Sequence, residues 1–147
     1  MRLAIATRFP WFLLALAFVP DQQDAAPIKA TIAASCAPWD GSAFVTTIPA
    51  DGFAGATSGA VIRISVWQSP TLKDSVSFHF PDKDGRTGSA YYSAGNATPV
   101  ALNGRVSFQS VQLSAPVFGD FDLVSPAGVR YRARFEAAWV QVRALCG

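Results

Sequence analysis

Few residues in this chain can exchange protons, ligate metals or act as nucleophiles. His79 is its single histidine, Glu136 its single glutamate, and Cys36 and Cys146 are its two cysteines. His79 sits between Phe78 and Phe80, on the opposite face of an alternating run, so it is expected to be a surface strand histidine. A Ser-His-Asp relay has serines and aspartates to draw on, yet no Gly-x-Ser-x-Gly elbow is present. Zinc needs three or four His, Cys or carboxylate ligands, more than this inventory offers once the cysteines are bridged. Asp82-Lys83-Asp84-Gly85 holds a fragment of a calcium loop but lacks the third acid and the closing glutamate, and Asp-Gly has its own reason to occupy a turn. Glycosidase chemistry wants two carboxylates across a cleft, and nothing in the sequence pairs Glu136 with an aspartate. The expectation is a non-catalytic protein with no metal and no cofactor.

Two features point to binding. Arg130, Arg132 and Arg134 alternate along one run, so on a strand they form a row about 13 Å long, able to hold a sulfate, phosphate or carboxylate polymer. The competing and favoured reading is a solvated strand face whose charge is taken up by Asp120 and Asp122 on a neighbouring strand. Trp39, Trp67, Tyr91 and Tyr92 stand next to turns or on outward phases, where aromatics contact sugars or protein partners. Packing at the core or at a sheet edge is the bland alternative for each of the four.

The elements that must position these residues read as strands. Period-2 alternation recurs, with Val76, Phe78 and Phe80 opposed to Ser75, Ser77 and His79, and with Ile62, Ile64 and Val66 opposed to Arg63 and Ser65. Phe44, Thr46 and Ile48 alternate with Val45 and Thr47; Val117, Phe121 and Leu123 alternate with Asp120 and Asp122. The longest run sets Val129, Tyr131, Ala133, Phe135 and Ala137 against Arg130, Arg132, Arg134 and Glu136. Past Ala138 the phase changes, because Val140 and Val142 fall on even numbers, which predicts a β-bulge there. Val106 and Phe108 against Val111 and Leu113 predict a second slip. Pro81-Asp82-Lys83-Asp84-Gly85 and Ser125-Pro126-Ala127-Gly128 read as turns between neighbouring strands, and Asn103-Gly104 as a hairpin signal before another. The predicted fold is all-β, an antiparallel β-sandwich of about eight strands, with a small closed β-barrel as the alternative.

The chain has 147 residues, 50% of them hydrophobic and 15% charged, which suits one globular domain and excludes a disordered tail or linker. Residues 1–26 read as a signal peptide and short lead, and 27–147 as a single β domain. Arg2 and Arg8 precede the apolar run from Phe9 to Val19, which Pro20 and Asp21 end at once. That run is short for a membrane span, so no span is expected after cleavage, which falls after Ala17 or near Ala26. The first cut leaves a net charge of zero and the second leaves +2, so no basic field calls for nucleic acid. Periplasmic or extracellular placement follows, and there two cysteines so spaced most simply form one bridge, Cys36 to Cys146, tying the first strand to the last. Ala33-Ala34-Ser35-Cys36 offers a lesser alternative, lipidation at Cys36. But Asp24, Pro27 and Lys29 interrupt the stretch before it, and Cys146 would be left unpaired.

The layout Gly104-x-Val106-x-Phe108, then Val117-x-Gly119-x-Phe121-x-Leu123, then Gly128 and Phe135-x-Ala137-x-Trp139 resembles that of small secreted bacterial β-sandwich proteins of uncharacterised function. The resemblance covers about the last third of the chain. It implies a fold and a compartment, and it carries over no functional residue. The expected function is a binding or structural role in the bacterial cell envelope, with an unknown envelope protein or glycan as partner. A small-ligand-binding barrel is the next reading, and a secreted hydrolase using His79 or an enzyme inhibitor comes after it.

Overall fold

The computed structural model describes residues 25–146; the apolar run read from sequence as a signal peptide lies outside them. Nine strands follow in order: β1 (Ile28–Cys36), β2 (Ser42–Pro49), β3 (Val61–Val66), β4 (Val76–Phe80), β5 (Gly88–Ser93), β6 (Val100–Ala101), β7 (Asn103–Phe108), β8 (Val117–Val124) and β9 (Arg130–Trp139). They form one sheet in the order β4-β7-β8-β9-β1-β2-β3-β5-β6, with no helix among the described residues. The all-β class is as expected. The antiparallel expectation fails at one junction, because β1 runs parallel to β9, with Ile28 opposite Phe135 and Ile32 opposite Trp139. β1 thereby joins two antiparallel flanks, β4-β7-β8-β9 and β2-β3-β5-β6, into a continuous mixed sheet.

Alternation decides which face is inside. The predicted inward sets of β2, β3, β4, β8 and β9 supply the core, where Phe44, Ile48, Ile62, Ile64, Val66, Phe78, Phe80, Val117, Phe121, Leu123, Tyr131, Phe135 and Ala137 belong to a single cluster, whereas Val129, just ahead of β9, is exposed. The sheet curls into a half-barrel so that its flanks meet across this core, Phe44 of β2 standing edge-on to Phe108 of β7 at 5.4 Å between ring centres. Two glycines of the C-terminal layout make the curl possible. Gly104 has φ +141°, and a Cβ there would lie 2.1 Å from the Asp122 carbonyl oxygen. At Gly119 a Cβ would meet the Phe135 ring at 2.5 Å, so the ring is seated directly on the bare strand backbone.

Three local expectations are corrected. β9 keeps its alternation and register through Trp139, then ends; Val140 and Val142 sit in an exposed irregular tail rather than beyond a bulge. The second slip is likewise a loop, in which Val111 bridges Leu72 and Leu113 is exposed. Pro81 to Gly85 does not join neighbours, since β4 and β5 lie toward opposite edges of the sheet, and Asn103-Gly104 begins β7 itself.

Thr46 is the polar exception inside. It is fully buried between Phe44 and Ile48 on β2, opposite Ile32 and Ile64, and its Oγ1 has no hydrogen-bond partner among the described residues. Its presence carries a desolvation cost without a compensating bond. Thr46→Val, which keeps the branched shape, is expected to stabilise the domain by about 1 kcal/mol. A urea midpoint that falls instead of rising would contradict this account of the core.

Candidate functional site

The arginine row forms as predicted and faces outward from β9. The β8–β9 register sets Asp120 opposite Arg134 and Asp122 opposite Arg132, and the β7–β8 register sets Arg105 opposite Asp122. Arg130 reaches back along the face and donates to both oxygens of Asp122, its Nε at 2.7 Å. Arg105 donates to Asp120 at 3.3 Å, and Arg134 donates to the carbonyl of Ala25 at 2.9 Å. Lys29 of β1 pairs with Glu136. The Arg130 hydrogen bonds hold the Asp122 carboxyl below its ordinary range against a smaller desolvation effect, helped by the charges of Arg130, Arg132 and Arg105. A carboxylate so lowered stabilises the fold above its unfolded pKa and loses that effect as pH falls through the folded value. Solvent screening at this exposed face keeps the contribution within about 1 kcal/mol. The favoured reading, charges paired across strands, thus matches the geometry: the carboxylates of β8 lie between the guanidiniums of β7 and β9.

His79 points outward from β4, and its cross-strand partner is Arg105, where a relay needs a carboxylate. In the loop after β4, Asp82 uses Oδ2 to accept from the Thr87 hydroxyl and from the amides of Arg86 and Thr87. The Thr87 hydroxyl is the main cause of the lowered Asp82 pKa, so this acid is a loop fastener in the calcium-loop fragment.

The four aromatics are not brought together. Tyr91 and Tyr92 are consecutive on β5 and point to opposite faces, as strand geometry requires. Tyr91 is exposed beside Arg63, while Tyr92 turns inward, stacks on Tyr131 at 5.5 Å and accepts from the amide of Thr57. Burial, with Tyr92 alongside, raises the Tyr131 pKa. Trp39 and Trp67 do meet, edge to face at 5.3 Å. Trp39 rides the β1–β2 turn, which Asp40 closes in a left-handed conformation (φ 63°), and Trp67 follows the last residue of β3.

Cys36 and Cys146 form the expected disulfide, with 5.5 Å between their Cα atoms. Cys36 is the final residue of β1, and Cys146 lies in the tail beyond β9 rather than in a strand. The Trp39–Trp67 pair therefore stands at the bridged end of the sheet. No family model, curated protein or solved structure matches this chain. Its site is defined by geometry alone. Sequence reasoning passed over the rest of the bridged end, where Leu113, Val140, Val142 and Leu145 are all exposed. The phase break after Ala138 was the signal for it: apolar residues leaving the inward phase at a strand end face solvent.

Proposed function

We propose that this chain is an exported, non-catalytic β domain that binds a partner in the bacterial cell envelope through its bridged end. The observation that carries the reading is the Trp39–Trp67 pair, with Trp39 53% exposed, held at a rim that a disulfide fastens. A half-exposed tryptophan braced edge to face by a second, more buried one supplies contact area at small entropic cost. The bridge is consistent with an oxidising compartment, periplasmic or extracellular, and a Cys36 so paired supports a domain without a lipid anchor. The N-terminal apolar run supplies the export half of the proposal from sequence. The scaffold is proposed to work as a sandwich does, its two flanks facing across the ring cluster of Phe44, Phe108 and Phe135.

Co-sedimentation with a washed envelope fraction tests this. The bridged wild-type protein is expected to sediment, and Trp39→Ala with Trp67→Ala to weaken the association about tenfold or more, as loss of a buried aromatic anchor does. Wild-type protein that stays in the supernatant, or a double variant that sediments equally well, would refute the proposal.

A further inference from the structure

The bridged end carries more apolar surface than the tryptophan pair. Trp139 is in register with Ile32, four residues before Cys36 on β1. Trp67 follows Val66, which faces Phe44, two residues past the Ser42 partner of Cys36. Trp39 and Trp67 thus stand at the bridged end itself, and Trp139 closes β9 on the adjoining flank, four residues short of the level of Cys36. Between Trp139 and the 109–116 loop lies an open groove of about 480 Å³, lined by Leu113, Val140, Val142 and Arg143. Trp139 donates from Nε1 to the Gln112 carbonyl at 2.8 Å, which holds that loop beside the tail.

The tail is built to stand out. From the Ile32–Trp139 pair to the disulfide, β1 advances four residues while the tail has seven. At strand spacing that is about 13 Å of path against about 23 Å of chain. The Val140 amide still donates to the Ile32 carbonyl at 2.8 Å, and past that bond the surplus chain arches outward until the bridge brings it back. Val142 and Leu145 are left 55% and 77% exposed, with Leu113 at 57% across the groove. Single exposed apolar residues are ordinary, but several gathered at one rim beside tryptophans mark a contact surface.

We infer that this rim is a lipid-surface contact, which seats the domain end-on at the interface of a membrane carrying anionic headgroups. The inference rests on the reading that the bridged end is the binding end, and it names the partner. Three observations favour lipid. Tryptophan rings, apolar with one polar N–H, prefer the headgroup boundary. Arg143 lies within the apolar arch, where it meets lipid phosphates favourably, whereas a two-fold contact between two copies across this rim would bring Arg143 near its own mate. The irregular backbone of the arch finds hydrogen bonds at a wet interface that a dry protein contact would withhold. The association is shallow and spans nothing; no described helix is long and apolar enough to cross a membrane.

The test uses the bridged mature protein with vesicles of phosphatidylcholine, with and without phosphatidylglycerol, and in parallel an envelope fraction extracted free of lipid. The wild type is expected to sediment with the phosphatidylglycerol vesicles, and its tryptophan emission to be quenched by brominated lipid. Val142→Asp with Leu145→Asp is expected to weaken vesicle binding about tenfold or more. Arg143→Gln is expected to weaken binding only where phosphatidylglycerol is present. Near-ultraviolet circular dichroism and a retained disulfide confirm that each variant is folded. The inference is overturned if the wild type ignores both vesicle types, if the folded aspartate variant binds equally well, or if sedimentation velocity shows a dimer that the aspartates dissociate. Binding to the lipid-free envelope fraction without vesicle binding would overturn lipid as the partner and leave the binding reading standing; binding to neither would overturn both.

Discussion

Phe108→Ala is expected to destabilise the domain by about 3–5 kcal/mol, a large part of the 5–15 kcal/mol that holds a domain of this kind together. Phe108 is the last residue of β7 and has no exposed surface. Its ring meets Phe44 of β2 at 5.4 Å, Phe78 of β4 at 6.0 Å and Phe135 of β9 at 5.7 Å, each edge to face. One side chain thus ties the edge strand β4, the seam strand β9 of its own flank and the opposite flank. Neighbours cannot collapse into the vacated space without dragging the strand backbones with them, so both the transfer loss and the cavity loss apply. The measurement is urea unfolding of the bridged protein, with Phe118→Ala as control. Phe118 is on the neighbouring strand β8 and is 41% exposed, and its loss should cost about 1 kcal/mol or less. Equal effects at the two positions would contradict the curled arrangement, because they would mean that the two flanks do not meet at Phe108.

Removing the bridge is the second large effect. The cysteines are 110 residues apart, and closing a loop of that order restricts the unfolded chain by about 4–5 kcal/mol in the chain-entropy model. Native bridges in small secreted domains give about 2–5 kcal/mol when lost. Two local facts place this one at the upper end of that range. The tail past Val140 is tied to β1 chiefly through the bridge, with the Cys146 Sγ resting 3.6 Å from the Ser35 carbonyl oxygen. The parallel β1–β9 pair that the bridge extends is also the seam joining the two flanks. Cys36→Ser with Cys146→Ser is expected to lower the urea midpoint by a matching amount, and reductant to do the same to the wild type and nothing to the variant. A double variant as stable as the wild type would show that the bridge is ornamental to the fold.

How far the sequence discloses this arrangement depends on which physics sets each part. Alternation on β2, β3, β4, β8 and β9 was readable because one face of each strand is buried, and a one-residue shift would expose the whole inward set. The pairing of the arginine row was readable for the same reason: Asp120 and Asp122 have the same two-residue spacing as the arginines they face. β1 was far less legible. Its segment IKATIAASC is dominated by small residues, and its place between β9 and β2 is decided by a parallel contact about a hundred residues away, which no local pattern records. Tyr92 misled because adjacency to Tyr91 suggests a shared role, although on a strand adjacency guarantees opposite faces. The phase break after Ala138 is visible in the sequence but ambiguous: a bulge and a strand end give the same shift in parity, and only the lack of a partner strand beside Val140 and Val142 separates them. The same ambiguity concealed the exposed arch, the part of the molecule on which the binding proposal now depends.

The central claim, an exported domain closed by its own disulfide, is tested most directly by the intact mass of the protein recovered from an exporting host, measured with and without reductant and alkylation. The account predicts a mass set by cleavage near Ala17 or Ala26 and two alkylatable thiols that appear only after reduction. A chain that begins at Cys36 and carries acyl mass, or an uncleaved chain whose two thiols alkylate without reductant, would contradict it.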